Sequence, residues 1–397
     1  HCITFDMGGT STDVALVHDL EPRISHANQV DAYPLQMPQL DIHTIGAGGG
    51  SIVWVRPDGT LELGPQSAGA VPGPACYDRG GAAATISDAN LLLGRLPTDR
   101  ALSGGLKLAS APAMRAFRDL LPALGGGAGD PVRLADGVLR IAVAKMAGAV
   151  REVSVHRGLD PRDFTLLGFG GAGPMHVLLV ADELAMERAM VPRYPGHLSA
   201  LGQLLADRRH DFVLAWGGRL GDLLLDDLAT RVAGMRAEAT GLLEADGIAG
   251  ERIRHRVTLD MRYSGQSFTL AVPWDDASTE WTPLRRAFDA RHEETFGYAD
   301  TENDAEIVNI RLVTLGLVDK PDLAFRTEAS GDGLRETRPV WFDDDWADCP
   351  IYDRDGIAAG VTFEGPAIVE EAGGTTVVPP GWRVRVHASG ALDCRRR

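Results

Sequence analysis

The stretch CITFDMGGTSTDVALV, residues 2–17, constrains the fold of this chain more than any other. It reads as two apolar strands, at 2–6 and 13–17, joined by a tip of glycines and hydroxyls. An apolar hairpin of this kind is not stable alone and demands neighbouring strands or a covering layer. The tip carries Asp6, Gly8, Gly9, Thr10, Ser11 and Thr12 in close succession. Glycines let backbone N–H groups approach a ligand without steric cost, and successive amides make an anion-binding concavity. The three hydroxyls add donors, so the tip suits phosphate. Asp6 is placed to hold a hydrated Mg²⁺, and Asp13 to orient a water or the metal. The alternative is a tight turn that binds nothing.

Glycine recurs in short runs at 46–50, 78–81, 104–107, 124–130 and 168–174, among 47 in all. The runs punctuate apolar segments and lack the serine enrichment of a flexible linker. Between them the pattern predicts strands at 51–55 and 60–64, a helix over 87–96 capped by Ser87, and helices over 111–124 and 134–158. A strand at 164–169, a helix from Pro174 to about 186, a strand at 188–192 and a helix entered at Ser199 follow. Alternating strands and helices predict an α/β class. Beyond about 215 the texture changes to a helix at 222–247, a strand pair within 256–272, a helix at 282–296 and the segment EIVNIRLVTLGLV at 306–318, with the remainder as strands and turns. A boundary near 215 divides the chain into 1–215 and 216–397.

With 39 Lys plus Arg against 55 Asp plus Glu, the net charge is −16, which argues against nucleic acid or anionic membrane as a partner. Four scattered cysteines, at 2, 76, 349 and 394, suit a reducing cytoplasm rather than a disulfide framework. No apolar run reaches the roughly 18 residues that span a bilayer. The chain begins at His1, in a strand and without an initiator methionine, so further residues before it are expected.

GFGGAG matches G-x-G-x-x-G through Gly168, Gly170 and Gly173, after a strand and at the start of a helix. The acid that should follow about 20 residues on in a dinucleotide site is missing. MVPRYPG stands there instead, whose Arg193 would favour a 2′-phosphate and keeps a nicotinamide-dependent oxidoreductase as an alternative. The competing reading is that Gly170, Gly171 and Gly173 lie flat against an adenosine. Asp41 and His43 share one face of a strand and, with Asp88, could hold a second divalent metal; a buried, hydrogen-bonded histidine is the alternative. His176 could contact a ligand or face solvent. Cys76 reads as a packed thiol, and the segments HEETF (292–296) and FDDDW (342–346) as solvated surface.

FDMGGTSTDVALV, IHTIGAGGGSIVWV, GPQSAGAVPGPACYDRGG, ISDANLLLGRL, LLGFGGAGPMHV with VPRYPGHLSALGQLLAD, and RYSGQSFTLAVP together resemble the hydantoinase A/5-oxoprolinase family. The resemblance runs through nearly the whole chain. It implies an actin-like, ribonuclease H-like ATPase lobe followed by a smaller α+β domain, with DMGGTSTD as the second phosphate motif and GFGGAGP as the adenosine motif. It further implies ATP and Mg²⁺ as cofactors, a small cyclic amide such as a hydantoin or 5-oxoproline as substrate, and a hydantoinase B-like second subunit. ATP-dependent ketone carboxylases share the same ATPase. The family carries an earlier Asp-Gly-Gly-Thr hairpin that this chain lacks, so half of the ATP cleft is expected to lie outside it. An ATP-driven switch of the Hsp70 or actin kind is a further alternative.

Overall fold

A computed structural model describes residues 1–25, 28–30, 33–35, 39–125, 129–321 and 329–397. Gly126, Gly127 and Ala128, within the run at 124–130, lie outside the described residues. The chain forms two compact units, 1–201 with 323–397, and 202–322.

The first unit is built on β1 (Cys2–Met7), in which Ile3, Phe5 and Met7 are buried and Cys2, Thr4 and Asp6 are half-exposed. Period-2 burial of this kind fixes the register, because a slip of one residue would exchange the two faces. β1 pairs antiparallel with β2 (Thr12–His18), setting Asp6 opposite Asp13. β3 (Ile42–Ile45) joins β2, and β4 (Ser51–Val55) with β5 (Leu61–Ser67) forms a separate hairpin. Three helices follow: α1 (Ile86–Leu92), α2 (Ser110–Leu120) and α3 (Pro131–Val153). α1 begins one residue before Ser87. Thr85 caps it, receiving the Asp88 N–H while the Asp88 carboxylate receives the Thr85 N–H. α3 is capped by Asp130, starts on a proline and buries Val138, Ala142, Met146, Val150 and Val153 along one stripe.

β6 (Thr165–Phe169) lies parallel to β1, with Phe169 opposite Asp6. α4 (Gly173–Glu183) then crosses over to β7 (Arg188–Val191), which is parallel to β6. After the second unit the chain returns through β8 (Asp332–Phe342), β9 (Asp345–Ile357), β10 (Ala367–Glu371), β11 (Gly374–Val378), β12 (Trp382–Val386) and β13 (Leu392–Arg396). β13 pairs with β7, and β12 with β13, so the C-terminal strands extend the main sheet to nine among the described residues. This pairing is why 323–397 packs with 1–201. A single division at 215 cuts through the continuous strand Arg208–Arg219.

The second unit is a four-stranded antiparallel sheet in the order 208–219, 305–316, 253–263, 270–273. Helices Leu225–Ala245 and Thr282–Phe296 share its core through Leu228, Val232 and Phe288. His292 of HEETF faces that core, not solvent, bonded to Gln266 and the Tyr298 carbonyl. No helix among the described residues is long and apolar enough to cross a membrane.

Candidate functional site

The tip of the β1–β2 hairpin and the loop between β6 and α4 meet directly. The Ala172 N–H donates to the Met7 carbonyl at 2.9 Å. Gly170 has φ +81°, and a Cβ there would stand 2.4 Å from both Asp6 Oδ1 and the Met7 carbonyl oxygen. Only glycine permits that approach. The run at 46–50 backs the hairpin from the other side, its Gly49 N–H donating to Gly8 O at 3.0 Å and Gly50 N–H to Gly9 O at 2.6 Å.

The loops share a cavity of about 270 Å³. Gly8, Gly9, Gly49 and Gly171 form its backbone wall, and Leu102, Leu106 and Met175 are among its apolar lining. Gly8, Gly9 and Gly171 have ordinary φ and no atom within 4 Å of a Cβ. Packing therefore does not require glycine at these three positions, unlike at Gly170. What they share is the cavity.

Asp6, next to last in β1, is half-buried against Gly170 and accepts the Ser199 hydroxyl at 3.1 Å. Burial raises its carboxyl above the usual range, against the Ser199 bond, and the nearby Asp13 charge pushes it the same way. A desolvated carboxylate of this kind has an affinity for cations. Asp13 accepts the Thr44 hydroxyl at 2.5 Å and the Ser11 hydroxyl at 3.3 Å. Thr10 is exposed, 3.4 Å from the Ser67 hydroxyl.

Part of the expected donor set serves the fold instead. Thr12 is fully buried and donates to the Ala47 carbonyl at 2.5 Å, and the Gly8 N–H closes the turn on Ser11 O at 3.1 Å. Gly173 packs against β1, where a Cβ would stand 3.2 Å from the Phe5 carbonyl.

The second metal set, Asp41, His43 and Asp88, does not assemble. Asp41 is paired with Arg157 and, at 3.4 Å, with Arg23. Asp88 is buried and accepts the N–H groups of Ala75, Cys76 and Thr85 and the Thr85 hydroxyl. His43 is half-buried on β3 opposite Val14. Both carboxylates are spent on structure. Among the described residues the only ligand cluster is the exposed trio His1, His18 and Asp19.

Three other residues settle differently from one another. His176 is neither a ligand contact nor solvent-exposed: it is buried, its Nδ1 on the Ala172 carbonyl at 3.0 Å and its Nε2 3.2 Å from Asn90 Nδ2. Cys76 is a packed thiol pushed far up by burial. Arg193 is engaged with Asp355 and with Glu371 at 3.8 Å, not offered to a phosphate. Sequence reasoning missed Ser199, Thr44 and Glu371. Glu371 lines the cavity wall and receives the Tyr194 N–H at 3.1 Å. Ser199 lay inside a motif already marked, yet nothing local tied it to Asp6.

Residues 1–212 match the hydantoinase/oxoprolinase family model and residues 226–395 the hydantoinase/oxoprolinase C-terminal domain. The chain is 36% identical to the caprolactamase subunit alpha of Pseudomonas jessenii over 98% of its own length and 58% of that protein. It is 31% identical to the 5-oxoprolinase of Saccharomyces cerevisiae, over 95% of this chain and 31% of that one. Its structure superposes on the crystal structure of the ATP-dependent caprolactamase from Pseudomonas jessenii with a TM-score of 0.81 at 35% identity, covering 100% of this chain and 58% of that one. The nucleotide-free acetone carboxylase shares the fold, with a TM-score of 0.82 at 24% identity over 100% of this chain and 58% of that one. The chain thus spans a little over half the length of the first of these relatives. Motifs, α/β fold and the meeting of the two glycine loops agree: this chain belongs to the hydantoinase/oxoprolinase family.

Proposed function

We propose that the first compact unit carries one side of an ATP site, and that the whole protein uses ATP to hydrolyse a small cyclic amide of the hydantoin, 5-oxoproline or lactam kind. The observation that carries this reading is the trio Gly8, Gly9 and Gly171, which line one cavity with no packing reason to be glycine. Bare backbone at such a place lets a ligand approach the amides closely. Thr10 adds an exposed hydroxyl at the hairpin tip, and Ser11 a second one that donates to Asp13. Gly171 offers a flat surface for the nucleoside, with Leu102, Leu106 and Met175 as apolar neighbours. Asp6, steadied by Ser199, is the residue to hold Mg²⁺, and Asp13 stands across the hairpin as a second carboxylate.

An unstrained cyclic amide resists hydrolysis because resonance makes its carbonyl a poor electrophile. ATP, when bound, supplies a phosphoryl group that activates the amide or carboxylate oxygen. The chain's own part is positioning and charge neutralisation, which dominate phosphoryl transfer. A second subunit of the hydantoinase B type is the proposed partner, and the four free cysteines fit a reducing cytoplasm.

Phosphate release by the whole protein with its companion subunit tests this reading, using a panel of lactams, hydantoins, 5-oxoproline, and ketones with bicarbonate. Release that depends on a cyclic amide supports it. Release that depends only on ketone and bicarbonate replaces it with the carboxylase function.

A further inference from the structure

The C-terminal strands reach the first cavity as well as the sheet. Glu371, Gly373, Gly374 and Thr375, around the β10–β11 turn, belong to its wall. The Glu371 side chain is only 2% exposed. With so little surface it cannot itself reach a ligand, so any effect it has on the site passes through the residues it holds. Burial raises its carboxyl above the usual range, and the charges of Arg354 and Arg193 oppose that shift. The match is incomplete. Arg193 Nη1 stands 3.8 Å from Glu371 Oε2, while Glu371 Oε1 and the Nη1 atoms of Arg193 and Arg354 have no hydrogen-bond partner. A buried charge cluster of this kind is a poor device for stability, since apolar packing of the same volume often serves a fold as well or better.

What the cluster does hold is the backbone of Tyr194. This residue is left-handed, at φ 54° and ψ 55°, a conformation that costs energy in a residue with a side chain. Its N–H donates to Glu371 Oε2 at 3.1 Å, and the Arg193 guanidinium lies over its ring at 4.6 Å. The residues that follow are packed on the same turn. A Cβ on Gly196 would stand 2.3 Å from the Gly373 carbonyl oxygen, and one on Gly374 would stand 3.0 Å from Pro195 Cγ. Unfavourable backbone persists only where its surroundings over-determine it, and such places gather at functional sites.

The segment fixed in this way makes two contacts at the glycine loops. Pro195 O accepts the Gly170 N–H at 3.0 Å, and Ser199 donates to Asp6 Oδ2 at 3.1 Å. Gly170 in turn lies against the other carboxylate oxygen, where a Cβ would stand 2.4 Å from Asp6 Oδ1. Both oxygens of Asp6 are therefore bounded by what this segment places: Oδ2 by Ser199 directly, and Oδ1 by Gly170, whose N–H Pro195 holds.

We infer that Glu371 is a positioning residue for Asp6. It keeps Tyr194 in its left-handed turn, so that Pro195 and Ser199 set the carboxylate in the orientation in which it meets Mg²⁺. It acts through the Tyr194 backbone and not by contact with the metal. The inference rests on the assignment of Asp6 to Mg²⁺ proposed above, and gives the C-terminal strands a part in that site.

The ratio of ATP affinity with Mg²⁺ to ATP affinity with EDTA, measured by calorimetry on the whole protein, reads the metal's hold on Asp6. Urea midpoints of the same samples report the fold separately. We expect Glu371→Ala and Ser199→Ala each to lower the ratio at least fivefold. The double variant should fall no more than twofold below the lower single one, because both changes act on one carboxylate through one segment. If the alanine variant does not fold, Glu371→Asp, which keeps the charge but is a methylene too short for Tyr194, takes its place under the same criteria. An unchanged ratio in a folded Glu371 variant overturns the proposal, whatever its urea midpoint, and so does a double variant in which the two losses multiply. Wild-type protein that binds ATP equally with and without Mg²⁺, or not at all, overturns the Asp6 assignment itself, and the inference falls with it.

Discussion

Ser199 donates its hydroxyl to the Asp6 carboxylate at 3.1 Å, joining the end of the first strand to a helix that begins 192 residues later at Leu198. This bond orients a carboxylate that burial otherwise disfavours in its charged form. The folded state holds the Asp6 proton more tightly than the unfolded chain does. Its ionisation thus costs stability as pH rises from the unfolded value near 3.9 through the raised folded one, and the cost persists at neutral pH. Asp6→Asn keeps an acceptor for Ser199 and removes that cost. Melting temperatures should be higher for Asp6→Asn than for wild type at pH 7.5, with the gap closing near pH 3.5, while ATP turnover falls at least about a hundredfold. A variant that melts lower at pH 7.5 would show that the charge stabilises the fold.

Gly9 and Gly170 make opposite predictions although both belong to glycine-rich loops. Gly170→Ala forces a Cβ to within 2.4 Å of Asp6 Oδ1 at φ +81°, and should cost roughly 1–3 kcal/mol or more in urea denaturation. Gly9→Ala meets nothing within 4 Å and should leave the urea midpoint unchanged. It should nevertheless weaken nucleotide binding about tenfold or more, because its methyl group occupies the cavity. Equal nucleotide affinity in Gly9→Ala and wild type would remove the main support for the phosphate role of the hairpin.

Asp88 separates structure from metal binding. Its carboxylate accepts four hydrogen bonds, from the N–H groups of Ala75, Cys76 and Thr85 and from the Thr85 hydroxyl. Asp88→Ala strands these buried donors and should cost about 3–5 kcal/mol. Chelators should not affect wild-type stability through this residue. A chelator-dependent melting temperature that vanishes in Asp88→Ala would restore the second metal.

How much of this was legible in the sequence depends on the range of each interaction. The β1–β2 hairpin and the long helix at 131–153 were, because period-2 and period-3.6 patterns act within a few residues. The helix cap moved from Ser87 to Thr85 because both residues are hydroxyls, and only the reciprocal bond with Asp88 distinguishes them. Thr12 looked like a ligand donor beside Thr10 and Ser11, yet strand alternation turns it inward to Ala47. Asp41 and His43 share a strand, but Asp41 finds its partner in Arg157, 116 residues away. The return of 323–397 to the first unit rests on the pairing of Arg188–Val191 with Leu392–Arg396, which no local signal announces. Asn90 and His176 both lie within quoted motifs, yet they meet only in the fold, across 86 residues of sequence.

His176 gives the last prediction, because its environment fixes both sign and window. Burial lowers its pKa from 6.5 to about 4, outweighing the bond to the Ala172 carbonyl. The unfolded chain therefore takes up this proton first as pH falls. The stabilisation is complete above pH 6.5 and is lost progressively between 6.5 and about 4, by on the order of 3 kcal/mol in total. His176→Gln removes this titration: its urea midpoint should be lower than that of wild type at pH 7.5 and should fall less steeply between pH 6.5 and 4.5. Because His176 holds the Ala172 carbonyl, the same variant should also weaken nucleotide binding at pH 7.5, where wild-type His176 is neutral. Parallel pH profiles for the two proteins would mean that His176 is not the group losing its buried neutral state.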